Sequence, residues 1–208
     1  MLPEYLKTAF VTLLVTIDPP GLAPIFIGLT LGMEPGQKRE VALRAVIIAF
    51  CILAAFGFAG DIVMKALGIT LPAFRIAGGL LLFWISFEMI FELRARRKSM
   101  IAEEAVTIDH IRNIAAFPLA IPLMAGPGAI TATILLAGRA GSDYAMLAGL
   151  MGVIAGIMAI TWVCFLLSGR ISSLLGVTGN IVLTRLLGVI LAALAVQFVI
   201  DGVTAIGK

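Results

Sequence analysis

An all-α integral membrane fold, with six transmembrane spans arranged as two inverted three-span repeats, is predicted by three features of the sequence. The 208-residue chain is 61% apolar and only 13% charged, where an ordinary soluble domain carries about 25% charge. Its mean hydropathy of +1.13 comes from runs of the roughly 20 apolar residues needed to cross a hydrocarbon core about 30 Å thick. Finally, motifs of the first half recur in the same order in the second.

Six segments are long enough to cross once: 8–31, 41–60, 72–91, 114–137, 145–168 and 181–200. The apolar start of the first, behind Lys7, runs into Asp18-Pro19-Pro20-Gly21 instead of a small-residue cleavage site, so it reads as a retained span and not a signal peptide. That same motif cuts the first segment in two. Pro122 with Gly126-Pro127-Gly128 cuts the fourth. Neither half can span alone, so each segment reads as a discontinuous helix or a re-entrant hairpin. The second and fifth segments read as plain spanning helices. Residues 61–71 and 170–179, short and mixed in polarity, read as interfacial or re-entrant pieces. Residues 94–112, with Arg94, Arg96, Arg97 and Lys98, read as one long polar loop, and Cys51 and Cys164 as small buried hydrophobes.

Pro20-Gly21 recurs as Pro127-Gly128, Leu67-Gly68-Ile69-Thr70 as Leu175-Gly176-Val177-Thr178, and the Arg75 to Gly78 stretch as Arg185 to Gly188. Three matches in one order define a first repeat over 1–98, a cytoplasmic loop over 99–107 and a second repeat over 108–208. Three crossings per repeat is an odd number, so the repeats enter the membrane from opposite sides. On one side lie Lys38, Arg39, Arg44, Arg94, Arg96, Arg97, Lys98, Arg112 and Arg170, and on the other only Lys7, Lys65, Arg139 and Lys208. Nine against four puts the first group in the cytoplasm and both termini of this multi-pass protein outside it. The net charge of +3 thus has an orienting role, and no nucleic-acid partner is implied. The partners expected are the bilayer, a small-molecule substrate and, in a homo-oligomer, further copies of the chain.

A break inside a membrane helix frees backbone groups, and it persists only where it faces protein or a wet cavity. Two matched breaks therefore point to a site between the repeats. The new half-helices starting near Gly21 and Gly128 offer unpaired N–H groups that suit a carboxylate. Asp18 is the one acid near the centre of a span. Burial there costs about 2.5–3.5 kcal/mol unless a cation or proton joins it. An anion cradle beside a lone carboxylate fits a zwitterion. Substrate contacts are expected from Thr16, Asp18, Pro20, Gly21, Pro24, Gly126, Pro127, Gly128, Thr131 and Thr133, and the small residues imply a small substrate. Asp18 also reads as the cap of the second half-helix. Arg75 and Arg185 read as interfacial anchors or gating residues, and Glu88 with Glu92 as partners of the basic loop.

The motifs Asp18-Pro-Pro-Gly21-Leu-Ala-Pro24-Ile-Phe26 and Pro122-Leu-Met-Ala-Gly126-Pro127-Gly128-Ala-Ile130 resemble those of the MarC family of bacterial and archaeal inner-membrane proteins, over essentially the whole chain. The resemblance implies a place in the broader LysE-like transporter superfamily, some of whose members carry small neutral amino acids. It thus implies a secondary transporter of glycine- or alanine-like solutes in the cell (inner) membrane; the buried Asp18 adds the expectation of coupling to H⁺ or Na⁺, and no motif for a further cofactor is present.

An enzyme is disfavoured. The single histidine, His110, lies in the charged region away from membrane-depth serines, a second buried acid facing Asp18 is lacking because Asp61 and Asp201 fall near span ends, and no His-based metal set exists. A channel would need a polar stripe that the second and fifth spans do not supply. Another small-solute or ion permeation role, or a structural membrane protein, are the alternatives.

Overall fold

The computed structural model describes residues 2–108, 114–141 and 143–206. His110, Arg112 and Lys208 lie outside the described residues. The described chain is helical throughout: α1 (Leu2–Ile17), α2 (Pro19–Leu29), α3 (Pro35–Ala66), α4 (Leu71–Ile90), α5 (Leu93–Ile108), an irregular helix Ala115–Met124, α6 (Pro127–Ala140), α7 (Tyr144–Leu166) and α8 (Ser168–Thr204).

Five stretches are long and apolar enough to cross a membrane: Leu2–Leu29, Pro35–Gly60, Leu71–Ile90, Tyr144–Leu166 and Ser168–Thr204. The bent pair Ala115–Met124 and Pro127–Ala140 makes a sixth when taken as one span. The two breaks differ in kind. Between α1 and α2 a single residue, Asp18, turns left-handed at φ 59° and ψ 62°, a region that Asp tolerates better than most side chains. Pro19 and Pro20 then restart the helix where their missing N–H groups cost nothing. The second break bends the chain by 59°. Phe117 and Ile121 take extended backbone angles because each precedes a proline, whose ring crowds a helical predecessor.

The stretches expected at 61–71 and 170–179 are not separate pieces. The first is mostly the end of α3, closed by Gly68 at φ 68°, before Thr70 caps α4 by accepting from the Ala73 N–H at 3.4 Å. The second belongs to α8, which breaks stride at Gly176, φ 58°. Only glycine enters that region without penalty, and the two glycines hold matching places in the repeated Leu-Gly-x-Thr motif.

α4 and α8 pack antiparallel at near-backbone contact. A Cβ on Gly79 would come within 2.8 Å of Ala195 O, one on Gly188 within 3.2 Å of Ser86 O, and one on Gly202 within 2.9 Å of Pro72 O. Elsewhere the core is largely apolar. Phe26 of α2 stacks on Phe165 of α7 with centroids 4.5 Å apart, and Tyr5 donates its hydroxyl to Leu136 O at 3.0 Å.

The expected loop over 99–107 is helix: α5 covers Leu93–Ile108. Counting charges concealed its spacing. Arg94, Lys98 and Ala102 are four residues apart, so they share one helical face, and all three are buried. Arg96, Arg97 and Ser99 are exposed. α5 is too polar to count among the spans and lies along the first break.

Candidate functional site

The two helix breaks come together. A Cβ on Gly128, at the start of α6, would lie 2.3 Å from Ile85 Cδ1 and 3.2 Å from Thr16 Cγ2, one residue before the first break's Ile17-Asp18. Beside this contact opens a cavity of about 400 Å³, bounded by Thr16, by Trp84 and Ile85 of α4, by one face of α5, and by the second break from Pro122 to Ala129.

The first break is satisfied by the protein itself. Asp18 Oδ1 accepts from the Gly21 N–H at 3.2 Å, capping α2. The carbonyl end of α1, which favours positive charge, meets α5: Arg94 donates to Thr16 O, and Lys98 Nζ lies 3.5 Å from both Ile17 O and Asp18 Oδ2. Asp18 is 4%, Arg94 7% and Lys98 6% exposed, so this cluster sits outside the reach of bulk screening. Burial first, and neighbouring Arg94 with it, push the Lys98 ammonium down to about 8 against the opposing pull of Asp18. Burial likewise lowers Arg94, against the pull of Asp18.

The second break is not satisfied in this way. Gly126 caps α6 without a side chain, and Pro127 has no N–H to offer. Ile130 N–H is bonded back to Gly126 O at 3.0 Å, whereas Gly128 and Ala129 belong to the turn whose N–H groups find no carbonyl inside their own helix. Gly126 to Ala129 line the cavity. Arg94, Arg97 and Lys98 line it too, and Arg97 bonds Glu88 Oε1 at 2.8 Å. Among largely apolar walls, the polar lining is thus a helix N-terminus, the Thr16 hydroxyl and three cations, an arrangement that attracts an anion.

The expected residues divide accordingly. Thr16, Gly126, Pro127 and Gly128 line the cavity, joined by Pro122 and Ala129. Asp18, Pro20, Gly21 and Pro24 do not. The α2 terminus is closed by its own Asp18, and a Cβ on Gly21 would lie 2.1 Å from the Asp18 carboxylate, so only one of the two half-helix ends is open. Pro24 instead borders a second hollow between α2 and α5. Thr131 packs its methyl group toward Gly78, and Thr133 donates to Ala129 O at 2.8 Å. Arg185 pairs with Glu92, while Arg75 borders an outer hollow with Arg139 and Asp201. The residues missed from sequence were Arg94 and Lys98; their four-residue spacing with Ala102 was the signal available. Among the described residues no group of three or more His, Cys, Asp or Glu is placed to hold a metal ion.

Comparison with known proteins covers the same span as the fold. Residues 3–206 match the family described as MarC family integral membrane protein. A "UPF0056 membrane protein" of Archaeoglobus fulgidus is 39% identical over 96% of this chain and 92% of its own. The "UPF0056 membrane protein YvbG" of Bacillus subtilis is 36% identical over 96% and 94%, and the "UPF0056 inner membrane protein MarC" of Salmonella paratyphi B is 33% identical over 95% and 93%. No solved structure matches. With nearly the whole length shared at these identities, the chain belongs to the MarC family of integral membrane proteins.

Proposed function

We propose that the protein is a secondary transporter of small solutes, and that its solute is a small neutral amino acid of the glycine or alanine kind. The observation that carries this reading is the uncapped N-terminus of α6, opening on a cavity at the meeting point of two helix breaks. A break that offers unpaired N–H groups to a cavity is costly in a purely structural membrane protein and useful in one that holds a solute at mid-membrane. The volume, about 400 Å³, lies near the lower end of small-molecule sites. The solute carboxylate would take the Gly128 and Ala129 N–H groups, with Thr16 nearby and the solute ammonium turned toward Asp18. Gly126, Pro127 and Gly128 shape the cradle; Asp18, Pro20 and Gly21 shape the facing break.

Two features support the inverted arrangement of repeats on which alternating access would rest: the left-handed glycines at Gly68 and Gly176, and the antiparallel packing of α4 on α8. Of the nine basic residues assigned to the cytoplasmic side, Arg94 and Lys98 are buried and no longer count as loop charges. The remaining seven still outnumber four, so both termini are assigned outside. On this reading the protein is a transporter and not an enzyme, driven by H⁺ or Na⁺. The test is counterflow: vesicles holding purified protein and loaded with unlabelled alanine should accumulate labelled alanine or glycine, and should ignore labelled phenylalanine. Absence of counterflow with every small neutral amino acid contradicts the proposal.

A further inference from the structure

The cation side of the site is already occupied. Asp18 is a buried carboxylate beside the carbonyl end of α1, and Lys98 Nζ sits 3.5 Å from both Asp18 Oδ2 and Ile17 O while Arg94 holds Thr16 O. Lys98 lines the cavity and Asp18 does not, so the ammonium of the protein's own side chain stands where a solute ammonium would have to come. Lys98 is held loosely for a buried ion: 3.5 Å is well beyond the roughly 2.7–2.9 Å of a good charge-assisted bond, and an ion pair with such geometry recovers little of its desolvation cost.

The element that carries Lys98 is a separate polar helix. α5 is a 16-residue polar helix, a length at which a helix alone in water is marginal. It joins α4 through a short turn in which Glu92, a non-glycine residue, is left-handed at φ 63°. Among the described contacts, Lys98 reaches Asp18 and Ile17 O, Arg94 reaches Thr16 O and Met89 Sδ, Arg97 pairs with Glu88, and Ala102 is buried on the same face. The second half of the chain has no matching helix at its own break among the described residues.

We propose that Lys98 is a tethered stand-in for the solute ammonium, and that α5 is a gate that the incoming solute releases by displacing Lys98 from Asp18. This deepens the transporter reading and rests on it for the identity of the displacing ion, but not for the tether itself. The solute carboxylate at α6 brings its ammonium to Asp18; Lys98, freed, takes α5 off one wall of the cavity. A carboxylate without an ammonium would bind at α6 and leave the gate shut. The groups facing Lys98 are Asp18 from the first break and Arg94 and Arg97 from α5 itself, with Glu88 of α4 holding Arg97. Ala115–Met124 and α6, which form the opposite wall, bring no titratable side chain to the cavity.

Hydrogen exchange of the Leu93–Ile108 amides, read by mass spectrometry on the purified full-length protein, tests the proposal. Lys98→Met should raise exchange there at least about tenfold without ligand, by more than any rise in the α3 and α8 amides. Asp18→Asn should do the same. If Lys98→Met loosens the whole protein, the double variant Asp18→Asn/Lys98→Met, which removes both members of the pair and leaves Arg94 on Thr16 O, replaces it and should show the α5 effect alone. Millimolar glycine should raise α5 exchange in the parent protein and acetate should not, with calorimetry recording binding in the same samples. Unchanged α5 exchange in Lys98→Met, or in the double variant where that is used, overturns the tether. Glycine that binds by calorimetry yet leaves α5 protected overturns the displacement step. If glycine gives no binding heat at all, the amino-acid reading falls, and the ligand-free variants decide the tether on their own.

Discussion

The two helix breaks solve one problem by opposite means. At Asp18 the interruption costs a single left-handed residue, and the groups it frees find partners inside the protein: the Asp18 carboxylate for the Gly21 N–H, and two long cations from α5 for the Thr16 and Ile17 carbonyls. At Gly126 the interruption is a 59° bend with no side-chain cap, and its open N–H groups line a cavity. Matched motifs in the sequence thus do unlike work. A closed break fixes geometry, and an open one leaves hydrogen-bonding capacity for something that arrives from outside. On the proposed reading, solute recognition falls to α6 and regulation to α5.

The sharpest way to break this contrast is to remove one charge from the closed side. Lys98→Ala leaves the Asp18 carboxylate buried without its cation, and stripping one partner from a buried pair costs about 3–5 kcal/mol. A large fall in the thermal unfolding temperature in detergent is expected, and the double variant Asp18→Asn/Lys98→Met should lose much less. Equal losses would mean that the pair is not what satisfies the first break.

A methyl group at Gly21 is the next largest perturbation. It would meet the Asp18 carboxylate at 2.1 Å and displace the cap, worth about 1–2 kcal/mol. Gly152→Ala, on an open helix surface with nothing within 4 Å, should be neutral or slightly stabilising. Gly21→Ala therefore reads the cap and not the ligand; parity of the two variants in thermal unfolding would deny the cap its role.

The titration of Lys98 sharpens the electrostatics. With its lysines reductively ¹³C-methylated, the protein should show one resonance, lost in Lys98→Met, that titrates near 8, where exposed lysines titrate near about 10.4. Asp18→Asn should move it lower still, because Asp18 raises it. A Lys98 midpoint in the ordinary range would remove the burial on which the tether depends. The smallest effect is expected at Arg185–Glu92, a pair 54% and 30% exposed. Arg185→Gln should change stability by less than about 1 kcal/mol, and a larger loss would give this corner of α4 and α5 a structural weight that its exposure does not imply.

Much of this frame is legible in residue order. Prolines and glycines at 19–21 and 126–128 mark the breaks because a helix cannot pass them intact, and Asp before two prolines reads as a cap. The repeated Leu-Gly-x-Thr motif lands on two left-handed glycines. Legibility fails where the outcome depends on which partner arrives from far away. Arg94 and Lys98 look like loop charges by composition, and only their helical spacing, combined with burial some 80 residues from their partners, shows them to be internal. The symmetric cradle expected of both half-helix ends fails for a similar reason: Asp18 folds back on Gly21 and closes one end, which no spacing rule foretells. The bend at the second break also begins earlier than the glycines, at Phe117 and Ile121, each set extended by the proline after it.

The central claim, that the open α6 terminus holds a solute carboxylate, is tested most directly by titrating the purified protein with alanine and with alaninamide under identical conditions. Alanine should bind and alaninamide should not, because the amide keeps the ammonium and the methyl group but lacks the anion that the Gly128 and Ala129 N–H groups would hold. Binding of alaninamide as tight as that of alanine would contradict the account.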